Sequence, residues 1–85
     1  MASYKLLMKP SAAKELEGLQ LKDRRRVVGR IHALSLEPRP PGCEKLSGQE
    51  KFRLRQGNYR ILYSIDDVLQ VVTVVKIGHR RDVYR

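Results

Sequence analysis

The sequence is poor in the groups on which most enzyme chemistries depend. Cys43 is the only cysteine in 85 residues, which excludes an internal disulfide and a thiolate metal site. There is no Gly-rich phosphate loop, no HExxH or paired-cysteine motif and no credible Ser-His-Asp set. Neither a metal nor a cofactor is expected. Carboxylates are scarce: 9 Asp+Glu stand against 18 Lys+Arg, a formal charge of +9. Glu50 is the only acid near Lys51, so paired-carboxylate chemistry has no footing there. Long apolar runs are missing as well. The opening MASYKLLMKP reads neither as a signal peptide nor as a spanning helix, and a cytoplasmic, membrane-free location is expected. No repeat or linker divides the chain, so residues 1–85 read as one small domain.

What is present is cationic charge arranged in a pattern. An excess of this size raises the local concentration of polyanions, so RNA, DNA or an acidic protein is the expected partner. The charge is concentrated on strand-like segments, which sets an anionic membrane surface behind those partners.

Residues Ser3–Met8 read as a short strand ended by Lys9-Pro10. A helix follows over Ser11–Glu17 with Gly18 as its stop. Leu21, Val27, Val28, Ile31 and Leu34 recur at three- and four-residue spacing, which predicts a second helix over Leu21–Leu36. Arg24, Arg25, Arg26 and Arg30 fall on its wet side, an arrangement that is usually a solvated face. Gly29 is the weak point of that helix, costing roughly 1 kcal/mol against alanine.

A breaker-rich loop, Glu37 to Gly42, leads to three strands. In Lys51–Arg55 the cations Lys51, Arg53 and Arg55 alternate with Phe52 and Leu54. In Tyr59–Ile65 an apolar series, Tyr59, Ile61, Tyr63 and Ile65, opposes Arg60, Leu62 and Ser64. Val68–Ile77, rich in β-branched residues, reads as a central strand buried on both faces. Short turns at Gln56-Gly57-Asn58 and Asp66-Asp67 make the three strands an antiparallel meander. The class is α+β: an N-terminal strand, a two-helix hairpin, then the meander, with helices on one sheet face only. The other face is left open and basic.

Two constellations carry chemistry. Lys51, Arg53, Arg55 and Arg60 would share the open face with no carboxylate among them, and Lys45 precedes them. The ordinary reading is a solvated, edge-protecting surface, but four cations without a counter-charge fit anion binding better. The second is the tail, His79-Arg80-Arg81-Asp82-Val83-Tyr84. Arg80 and Arg81 can hold phosphate but are poor bases. His79 can move protons near neutral pH, and Tyr84 can do so where cations lower its pKa. Without a metal, such a set is suited to ribonuclease-type phosphoryl transfer, in which RNA's own 2′-hydroxyl attacks phosphorus.

The segment KLSGQEKFRLRQGNYRILYSI and the ending KIGHRRDVYR resemble the RelE toxins of the RelE/ParE type II toxin–antitoxin superfamily. That resemblance covers nearly the whole chain and implies a ribosome-dependent mRNA endoribonuclease (mRNA interferase) that works in the A site, contacting mRNA and rRNA. It also implies an acidic RelB-like antitoxin partner. By position it gives Arg60, Arg80 or Arg81, and Tyr84 to catalysis, with Lys51 or His79 as proton carrier. Lys45, Lys51, Arg53, Arg55 and Arg60 would hold nucleic acid. Arg53 stands where well-known members carry lysine, and His79 replaces another lysine. A ParE-like gyrase inhibitor or a plain RNA-binding protein are the alternatives of a different class.

Overall fold

In the computed structural model of the chain, residues 3–48 and 50–79 are described. The elements are β1 (Lys5–Met8), α1 (Pro10–Glu17), α2 (Leu21–Ala33), β2 (Glu44–Lys45), β3 (Lys51–Gln56), β4 (Tyr59–Asp66) and β5 (Val71–His79). They form one five-stranded sheet in the order β1-β5-β4-β3-β2. The expected α+β class, helical hairpin and antiparallel meander are all found. Two features go beyond that reading. β1 lies parallel to β5, pairing Lys5 with Val71 and Met8 with Val74. β2 is an added two-residue edge strand, antiparallel to β3, that sets Glu44 opposite Arg53.

Local chemistry explains most of the boundaries. Pro10 opens α1, where its fixed φ suits the helix and its missing N–H is not needed. α2 ends at Ala33, three residues before its apolar periodicity does. Leu34, Ser35 and Leu36 instead bond three residues back, to Ile31, His32 and Ala33, the tighter 3₁₀ pattern common at helix ends. The β3–β4 turn has two residues, Gly57 and Asn58, and Gly57 sits at φ 60. A positive φ at the first turn position is what a type II′ hairpin requires.

β5 departs most from the sequence expectation. It begins at Val71, because Asp66 Oδ1 accepts from the Leu69 amide at 2.9 Å and Gln70 adopts φ 56. That longer turn leaves Val68 and Leu69 exposed, at 92% and 71%. Nor is β5 buried on both faces. Val72, Val74 and Ile77 are buried while Val71, Thr73 and Val75 are half-buried, since the helices cover one side only. The β4–β5 ladder slips once: Leu62 pairs with Lys76 and Tyr63 with Val74, leaving Val75 without a partner. The extra residue is a β-bulge.

The core is the helix-covered side. Ala12 of α1 and Val27 and Ile31 of α2 meet Phe52, Leu54, Ile61, Tyr63, Val72, Val74 and Ile77 of the sheet. At one end of the sheet the loop after α2 is tied down. Tyr63 donates its buried hydroxyl to the Pro38 carbonyl at 2.8 Å and stacks on Phe52, ring centres 5.8 Å apart. Burial pushes the Tyr63 phenol up, so it stays a neutral donor. Arg39 lies 5.2 Å over the Phe52 ring and forks onto Asp67 at 2.9 and 3.2 Å, while Tyr4 donates to the same carboxylate at 2.7 Å. No helix among the described residues is long and apolar enough to cross a membrane.

Two outcomes follow from these contacts. Gly29 is mid-helix, and a Cβ there would meet nothing within 4 Å. Gly29→Ala should therefore raise the unfolding free energy by about 1 kcal/mol, read as a higher urea midpoint. Arg39 and then Tyr4 hold the Asp67 carboxyl below its ordinary range. A depressed folded value adds stability that is fully present above the unfolded pKa of about 3.9 and is lost as pH falls through the folded value. The stability gap between wild type and Asp67→Asn should therefore close on acidification below about pH 4, measured as urea midpoints across pH. A gap that is constant with pH would contradict it.

Candidate functional site

The two antiparallel ladders fix which side chains share the face away from the helices. β3 and β4 place Arg55 opposite Arg60, Arg53 opposite Leu62, and Lys51 opposite Ser64. β4 and β5 place Gly78 opposite Arg60 and Lys76 opposite Leu62. Paired residues stand on one face, so Lys51, Arg53, Arg55 and Arg60 lie together as the alternation requires. Gly78 puts no side chain beside Arg60.

Arg60 is the centre of this face. Although its row points away from the helical core, it is only 5% exposed, the one buried charged residue among those described. Its Nη1 reaches the Tyr59 carbonyl at 3.4 Å, and its buried Nε has no partner. No carboxylate among the described residues comes within 4.0 Å of Arg60, Arg55 or Lys51. A guanidinium withdrawn from water without a counter-charge is costly. It is also a fixed fork of donors matched to a phosphate.

The other predicted residues divide into groups. Arg53 does have an acidic neighbour, contrary to expectation: Glu44 Oε2 stands 3.2 Å from its Nη2. That carboxylate arrives on β2, whose two residues carry no periodicity to read. Lys45 approaches Glu50 at 3.7 Å, both well exposed. His79 is the clearest difference. It pairs with Tyr59, whose alternation with Arg60 directs it to the helical side, and the two rings meet edge to face at 5.7 Å. The structure thus sets His79 on the face opposite Arg60. Arg80, Arg81 and Tyr84 lie outside the described residues. Among the described residues, no group of three His, Cys, Asp or Glu gathers as for a metal.

One residue that the sequence reading passed over bears on the site. β1 stops at Met8, so the far half of β5 loses its strand neighbour on that edge. Glu15 of α1 fills the vacancy. Its Oε1 accepts from the Ile77 amide at 3.0 Å and its Oε2 holds Lys76 Nζ at 3.1 Å. A side chain here takes the place of a strand, steadying the segment that carries Gly78 past Arg60. No spacing rule links positions 62 residues apart.

Comparison with known proteins agrees with this fold. Residues 6–84 match the family described as ParE toxin of the type II toxin–antitoxin system, parDE. The chain belongs to the RelE/ParE toxin superfamily. Toxin RelG of Mycobacterium tuberculosis is 47% identical over 34 residues, a stretch covering 40% of this chain and 39% of that relative. The toxin–antitoxin complex RelBE2 of the same organism superposes with a TM-score of 0.82 at 30% identity, covering 92% of this chain and 99% of that one. The RelE–RelB complex of Pyrococcus horikoshii gives 0.83 at 27% identity, covering 94% and 98%.

In this toxin the burial of Arg60 without a carboxylate among the described residues makes one energetic outcome testable. Arg60→Met keeps an unbranched apolar stem and removes the desolvated charge, so the variant should unfold at higher urea than wild type, by about 1–3 kcal/mol. A lower midpoint would mean that Arg60 holds the sheet together after all.

Proposed function

We propose that this toxin is a ribosome-dependent mRNA endoribonuclease, silenced by an acidic RelB-like antitoxin. Arg60 carries the reading. A buried cation with an idle donor, on an open face where neighbouring Arg55 and Lys51 are also without carboxylates, is built to receive a phosphodiester. In the proposed step the RNA 2′-oxygen bonds to the adjacent phosphorus and the bond to the 5′-oxygen breaks. A protein base takes the 2′-hydroxyl proton, and a protein acid returns one to the leaving oxygen. Arg60, with Arg80 or Arg81, stabilises charge on the pentavalent phosphorus. Lys51 and Tyr84 are the proton carriers, since His79 faces the other side of the sheet. Lys45, Lys51, Arg53 and Arg55 hold mRNA and rRNA in the A site. The solved RelE–RelB complexes supply the precedent for an antitoxin partner, and a +9 chain supplies the charge that would draw an acidic one.

A second reading has its own support: the matching family carries the ParE name, and a ParE-like toxin would act on DNA gyrase without cutting RNA. Programmed ribosomes separate the two. Arg60→Ala and Tyr84→Phe should each lower the rate of mRNA cleavage by about 10²–10³-fold, measured by mapping cut ends in a single turnover. Wild-type protein that leaves mRNA whole and instead traps gyrase–DNA breaks would replace this function with the ParE one.

A further inference from the structure

A second cationic surface lies on the other side of the molecule, and the chemistry at Arg60 makes no use of it. On α2, Lys22, Arg25, Arg26, Gly29 and Ala33 are exposed and Arg30 is half-buried. Their three- and four-residue spacing puts them on one face of the helix. The single acid of α2, Asp23, is turned elsewhere, with Tyr59 Oη 3.5 Å from its carboxylate. None of Lys22, Arg25, Arg26 or Arg30 makes an ion pair among the described residues. Arg30 Nε is buried without a partner. Val27 and Ile31 of the same helix are buried in the core, so this cationic strip and the Arg60 face lie on opposite sides of the sheet.

We propose that the outer face of α2 binds the phosphodiester backbone of RNA at a second site, so that the toxin is held between two RNA segments. The inference rests on the RNA-directed reading above and adds a place of contact to it. Three features favour RNA over an acidic protein. The charges are of one sign, at the 5–6 Å spacing of neighbouring helix positions, which suits a row of phosphates. Gly29 and Ala33 make the middle of the strip low, so a sugar–phosphate chain can approach the helix closely. Gly29 itself has no packing reason, since a Cβ there would touch nothing. And the strip offers no large apolar side chain between its cations, whereas an amphipathic protein helix needs such an anchor. The body is 33 × 28 × 25 Å, small enough for both faces to touch RNA at once.

The test uses full-length toxin and RNA that cannot be cut: a hairpin and a single strand, both 2′-O-methylated, with poly-glutamate as the protein-like competitor. The triple variant Lys22→Gln, Arg25→Gln, Arg26→Gln is compared with Lys5→Gln, Lys9→Gln, Lys14→Gln, which loses the same charge elsewhere. The α2 triple should weaken RNA binding at least tenfold and flatten the slope of log K against log salt by about 2–3, one lost phosphate contact per cation. The control should lose much less. Equal losses in both variants would reduce the effect to net charge and overturn the proposal. So would a strip that binds poly-glutamate but not RNA. Because the RNA is uncleavable, a toxin that fails to cut mRNA yet shows the α2 effect would sink the nuclease reading and leave this one standing.

Discussion

The whole arrangement depends on β4 being paired along both edges. A strand held by β3 on one side and β5 on the other cannot slip without breaking two ladders. A slip of one residue would also exchange the two faces. Ile61 and Tyr63 are thereby committed to the core, and the residue between Tyr59 and Ile61 is committed to the opposite face. That residue is an arginine, and the fold accepts the expense of burying it. Apolar burial on one side of β4 and the buried charge on the other come from a single register.

Two further devices protect that register. At one end, Tyr63, Phe52, Arg39 and Asp67 bind the loop after α2 to the β4–β5 turn, using one neutral hydrogen bond and one exposed, forked ion pair. At the other, Glu15 stands in for the strand that β1 is too short to supply. The bulge at Val75 lies between them, where β5 changes from pairing with β1 to leaning on α1. Each device links residues distant in sequence, and each uses polar atoms.

The sequence was legible where apolar periodicity spoke. The alternation of Lys51 to Arg55 and of Tyr59 to Ile65 located the face, its cations and the buried row beneath. It failed where polar geometry decided. Val68 and Leu69 looked like strand because they are apolar, but an Asp66 side chain and a left-handed Gln70 turned them out to water. Glu44 was invisible because a two-residue strand has no period, so Arg53 looked free of acids when it was not. His79 followed a run of strand residues, and the bulge at Val75 changes the parity along β5, so no count from Val71 onward gives its side. The cations of α2 read as ordinary solvated charge, and only their lack of carboxylate partners set them apart.

The parallel pairing of β1 with β5 joins the fifth residue of the chain to the seventy-first. Long-range contacts of this kind form late, because the loop between them must close first. On a translating ribosome the chain emerges from its N-terminus, and β1 must wait for β5 before it has a strand to pair with. β4 likewise lacks one of its two neighbours until then, so the face bearing Arg60 is unfinished during synthesis. The face that carries Arg60 is therefore completed only once β5 has paired with β4.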